Sequence, residues 1–195
     1  MLKELFDLVK GQAAETVINN PDVPNEHNNE VVAEATNTVA SGLRNIVAGG
    51  GVQSLLNLFG SSNTDKKSLL SNPIVSMMMG HFAGKLMNKF GLNSSQANHL
   101  SGNLIPDVLG NLINKTNDSN DSGFSLEKLL GSITGNKSDA GQSSGGGIGD
   151  LLKQFGGGSN SGAGIMDIVK SLAAGAQQQQ QSNGNLLDLI KGFAK

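Results

Sequence analysis

The chain has no cysteine, no tryptophan and no tyrosine, and Arg44 is its only arginine among fourteen basic residues. Without cysteine there are no disulfides and no thiolate chemistry, and the redox compartment stays open. A zinc site would then need three or four convergent ligands from a thin inventory. Only His27, His81 and His99 are available, and neither His81 nor His99 has a carboxylate three or four residues away. All three read as structural side chains, and no metal is expected. A net charge of −2 with one arginine argues against a nucleic-acid surface, which asks for a basic face and bidentate guanidinium contacts. The same shortage disfavours an anionic membrane surface. No window approaches the ~18 apolar residues of a membrane span, so integral membrane insertion is not expected. The opening "MLKELFDLVK" lacks the uninterrupted apolar core of a secretory signal, and the expected localisation is cytoplasmic.

Apolar residues make up 37% and charged residues 15% of the chain, both below the usual globular share. Glycine, asparagine, serine and glutamine take their place, unevenly: thirteen of the 27 glycines fall within 136–195. The composition therefore divides into a core-forming portion, 1–135, and a Gly/Ser/Gln-rich low-complexity tail, 136–195.

Helical spacing dominates the first portion. Leu2, Leu5, Phe6 and Val9 form one stripe. "NNPDVPNEHNN" (19–29) is a loop. A helix over about 29–48 turns Val32, Ala35, Val39, Leu43, Ile46 and Val47 inward, and "GGG" at 49–51 ends it. "VQSLLNLFG" (52–60) is a short helix, followed by a polar connection with one further turn through Leu69 and Leu70. Asn72 before Pro73 is an N-cap with proline at the first helical position, opening a helix to Phe90. A stripe of Ala97, Leu100, Leu104, Val108, Leu109 and Leu112 marks the next helix, with a kink expected at Pro106. "FSLEKLLGSITG" (124–135) gives one more. No segment alternates with period two, so the expected fold is all-α with five to seven helices.

Catalytic patterns are missing. No G-x-S-x-G sits on a strand-to-helix turn. The glycine runs "GGGIG" and "GGGSNSG" neither follow a strand nor lead into a phosphate-loop lysine. "MMM" (77–79) reads as gap-filling methionine on a buried helix rather than a soft-metal surface. The protein is expected not to be an enzyme and to need no cofactor.

The tail holds three apolar islands that align without gaps: "IGDLLKQF" (148–155), "IMDIVKSL" (165–172) and "LLDLIKGF" (186–193). Each reads apolar–x–Asp–apolar–apolar–Lys–x–apolar, and "LFDLVKG" (5–11) in the first helix matches through its lysine. Asp and Lys three apart make a weak solvent-facing pair worth about 0.2–0.5 kcal/mol. The apolar positions form one stripe: Ile148, Leu151, Leu152 and Phe155; Ile165, Ile168, Val169 and Leu172; Leu186, Leu189, Ile190 and Phe193. A helix this short is not stable alone. Each island is therefore expected to fold by docking its stripe where the first helix docks, on this chain or on another copy, or on a protein partner.

"GLNSSQANHL" (91–100) has the outline of a helix-turn-helix corner. Asn93 and Gln96 fit a capping box. Between Phe90 and Asn114 there is no lysine or arginine and the one charge is Asp107, so nothing would hold phosphates beside a reading helix. The corner reads as packing. "FAGKLMNKFGLNSSQANHLSGNLIPDVLGNLINK" nevertheless resembles the central signature of the YidB-like bacterial family, through Gly91, Leu92, Ala97, Leu104, Ile105 and Pro106. "LKELFDLVKGQ" and "SLEKLLGSI" fit the same layout, so the resemblance covers about 1–135. It implies an all-α, multihelical bacterial domain with a homeodomain-like helix arrangement. It implies no mechanism, since the family is a domain of unknown function. The 19–29 loop and the three-island tail depart from compact members. The expected role is a helical interaction or self-assembly module. The rivals are a nucleic-acid-associated protein and reversible membrane attachment through the islands, whose balanced charge and lack of tryptophan weigh against it.

Overall fold

A computed structural model describes residues 2–21, 23–60, 64–118, 124, 128–129, 177 and 184–193. Among them every regular element is helical and no strand occurs. Helix α1 (Leu2–Ala13) continues as a wide π-type turn (Ala14–Ile18), and a 3-10 turn (Asn25–His27) leads into α2 (Asn28–Ala48). Then come α3 (Val52–Gly60), α4 (Lys66–Leu70), α5 (Pro73–Phe90), α6 (Ser94–Asn117) and α7 (Gly184–Phe193).

Local chemistry explains most boundaries. Asn72 Oδ1 accepts from the Ile74 N–H at 2.9 Å, with Pro73 beside it, so α5 starts at the predicted cap. Gly91 ends α5 at φ 69°, a left-handed conformation that costs a side-chain-bearing residue about 1–2 kcal/mol. The box at the α5–α6 corner is reciprocal. The Asn93 N–H donates to Gln96 Oε1 at 3.0 Å, and the Gln96 N–H donates to Asn93 Oδ1 at 2.9 Å. Asp65 caps α4 by accepting from the Ser68 N–H. Helix α6 runs through Pro106 as one element rather than two. Buried Leu104, Ile105, Val108 and Leu109 hold it on both sides, offsetting the one backbone bond that proline removes.

Two compact units divide the chain. One gathers the described residues within Leu2–Gly42, Asn63–Leu112 and Gly184–Lys195. Its centre is α2, where every residue from Val31 to Ala40 is buried except the half-buried Asn37. Thr36 and Thr38 accommodate this burial by donating to the carbonyls of Val32 and Glu34, each at 2.8 Å, which satisfies the hydroxyls within the helix. Gly42 lets α5 approach closely: a Cβ there would lie 2.7 Å from Met78 Cε. Of the three consecutive methionines, Met78 is buried and Met77 is exposed. In the same unit, Lys66 of α4 reaches Asn103 and Asp107 of α6.

The second unit contains Leu43–Ser62 and the described residues of Ile113–Asn183. Leu55, Phe59 and Ile113 are fully buried, and Asn117 Nδ2 donates to the Phe59 carbonyl at 2.8 Å. Phe124 and Leu129 are buried there too and Lys128 is exposed, whereas 125–127 and 130–135 of the helix predicted over 124–135 lie outside the described residues. Arg44 also belongs here and is buried, which lowers its pKa. The chain's one guanidinium is thus not on the surface.

Candidate functional site

Two places in the larger unit bring together chemistry that the sequence keeps apart: a helix seat on α1, and a charge cluster between α2 and α5.

The seat is built from the face of α1. Leu5, Phe6 and Val9 of the predicted stripe are buried, together with Leu8 and Ala13, whereas Leu2 is half-buried and Asp7 and Lys10 are exposed. Asp7 takes its ion pair from Lys3, one turn back at 2.7 Å, not from Lys10 as the repeated pattern suggests. The pair is largely exposed on both sides and contributes little.

Helix α7 is the third tail island, and it packs against α1. Ile190 is fully buried, and the Phe193 ring lies 6.3 Å from that of Phe6, tilted by 56°. That separation is within the attractive range for aromatic pairs. Leu187 is half-buried, while Asp188 and Lys191 stay in water. Leu189 is 55% exposed and Phe193 36% exposed. Leu189 sits about 100° round the helix from Ile190, since each residue turns by that amount, and so falls outside a contact with a single neighbouring helix. The matching residue of α1, Leu8, is buried. Instead of docking where α1 docks, the island docks on α1 itself. The first two islands, with Ile148, Leu151, Leu152, Phe155, Ile165, Ile168, Val169 and Leu172, lie outside the described residues. Of the third stripe, Phe193 meets Phe6 of α1 and Ile190 is buried; the side chain of Leu186 is not described.

The charge cluster was not legible from periodicity. Glu34, inside the buried stretch of α2, has a side chain only 3% exposed. Lys85 Nζ meets its Oε1 at 2.6 Å, Lys89 Nζ meets Oε2, and Asn37 Nδ2 donates to Oε1 at 3.3 Å. Lys85 also lies 3.5 Å from Thr38 Oγ1. Burial pushes the Glu34 carboxyl up, but the lysine hydrogen bonds outweigh it and leave the group below the ordinary carboxylate range. One signal was available. Helix α5 carries Lys85 and Lys89 one turn apart and no acidic residue, so their counter-charge had to come from another helix. Two ammoniums on one carboxylate make a clamp between α2 and α5.

The histidines do not converge. His81 and His99 are exposed. His27 packs its ring 5.7 Å from Phe90 and lies 3.8 Å from Glu26 and 3.7 Å from Glu30. Among the described residues no three His, Cys, Asp or Glu side chains gather in a way that could hold a metal, and no helix is long and apolar enough to cross a membrane.

No family model, curated protein or solved structure matches the chain. The α1 seat and its occupant therefore stand on their own geometry.

Proposed function

We propose that this protein is a non-enzymatic helical interaction module that assembles by exchanging an amphipathic tail helix on the face of α1. The observation that carries this reading is the docking of α7 on α1, with Ile190 fully buried. Helix α7 has ten residues, too few to hold itself together in water, so its fold depends on the surface it covers. A short helix of this kind is an element that copies of a chain exchange at low cost, because the exchanged contact repeats the internal one. The resemblance to the YidB-like family belongs to the same proposal: a bacterial helical domain, carrying here a tail of its own ligands.

Light scattering after size exclusion tests the reading on the full chain over a wide concentration range. The wild-type chain should shift from monomer towards dimer as concentration rises, and Ile190→Asp should abolish that shift. A monomer at all concentrations, or a dimer that persists in Ile190→Asp, overturns exchange of α7. Retention on DNA that weakens with added salt would favour the nucleic-acid rival instead, and co-sedimentation with vesicles the membrane one.

A further inference from the structure

We infer that the α1 seat is not reserved for α7, and that the islands at 148–155 and 165–172 are alternative occupants of the same site. The inference rests on the α1 seat proposed above and adds the identity of its other ligands. Three copies of one pattern follow a single seat in each chain, so only one of them fills it at a time.

The docked helix shows what the seat requires. Position five of the pattern, Ile190, is fully buried; the islands supply Leu152 and Val169 there. Position eight, Phe193, faces Phe6; the islands supply Phe155 and Leu172. Positions three and six stay in water in α7 as Asp188 and Lys191. The islands carry the same Asp and Lys at those positions, so neither would bury a charge by docking. The seat makes little demand at position four, because Leu189 is more than half exposed. Position two separates the ligands. Leu187 is half-buried, Met166 can fill that place, and Gly149 cannot. The 165–172 island therefore keeps positions two and five but has leucine at position eight, whereas 148–155 keeps five and the aromatic eight.

Photo-crosslinking in the full chain tests this. p-Benzoylphenylalanine replaces Phe193, Phe155, Leu172 or, as a control in the polar run, Gln179, and crosslinked peptides are mapped by mass spectrometry. In the otherwise wild-type chain the probe at 193 should label the α1 peptide. Ile190→Asp should lower α7 occupancy by about tenfold or more, since a fully buried aliphatic side chain is worth at least that factor. In that background, labelling of α1 from 155 and from 172 should rise well above the 179 control. Adding Leu152→Asp should then remove the signal from 155, and Leu189→Asp alone should leave the wild-type pattern unchanged. If 193 labels α1 while 155 and 172 stay at control level in Ile190→Asp, the seat is private to α7 and this inference fails, although the proposed function survives. If 193 does not label α1 in the wild-type chain, the proposed function itself falls.

Discussion

Replacing Lys85 and Lys89 by methionine, singly and together, should give strongly non-additive losses of stability. Glu34 is 3% exposed, whereas the two lysine side chains are 26% and 47% exposed, so the carboxylate is the group that cannot return to water. Lys89→Met removes a half-exposed partner and leaves Lys85 in place; a loss of about 1 kcal/mol is expected. Lys85→Met removes the more buried partner and should cost about 1–2 kcal/mol, the usual worth of a hydrogen bond involving charge. The double variant leaves a buried carboxylate with Asn37 alone, a situation that costs about 3–5 kcal/mol. The coupling energy should therefore centre near about 1.5 kcal/mol, within the range that contacting groups in one network show. Urea unfolding followed by circular dichroism at neutral pH measures all four chains.

The pH dependence of that series carries a sign that can be worked out. In the wild-type chain the folded pKa of Glu34 is depressed. Its contribution is present above the unfolded value of about 4.3 and is lost as pH falls through the folded one. Without the lysines, burial, the largest influence on the group, is opposed only by the Asn37 hydrogen bond, and the folded pKa rises. The double variant should then gain stability relative to wild type as pH drops from 7 towards 5. Additive losses, or a pH profile parallel to wild type, would refute the description of Glu34 as a buried charge held by two cations.

Other outcomes follow from single contacts. Asn93→Ala removes one half of the reciprocal box and the acceptor for the Gln96 N–H, and should lower stability by about 1 kcal/mol. Gly80→Ala should raise it by about 0.5–1 kcal/mol, because a Cβ there meets nothing within 4 Å. Gly42→Val should do the opposite, losing about 1–3 kcal/mol by overpacking against Met78; thermal melts distinguish the two glycines directly. Asp107→Asn should change the melting temperature little, since both partners of its pair with Lys66 are more than a third exposed.

Sequence alone reached far wherever a local rule governs structure. The caps at Asn72 and Asn93, the glycine stop at 91 and the stripe along α6 need only neighbours within a turn or two, and the structure has them where the pattern puts them. The stripe of α2 was read from Val32, Ala35 and Val39, but that helix is buried nearly all round. Glu34 lies outside that stripe, because no periodicity reveals that a charged residue has its partners waiting on another helix, while Thr36 and Thr38 return their hydroxyls to carbonyls of α2 itself.

The α1–α7 pair marks the same division. Repetition in the sequence identified "LFDLVKG" and "LLDLIKGF" as versions of one amphipathic helix and showed that the second is too short to stand alone. It did not show that the two helices face each other, nor that Ile190 is covered while Leu189 is left in water. An apolar stripe records that a surface must be buried; which surface covers it depends on where the rest of the chain brings its own, and only the tertiary structure decides that.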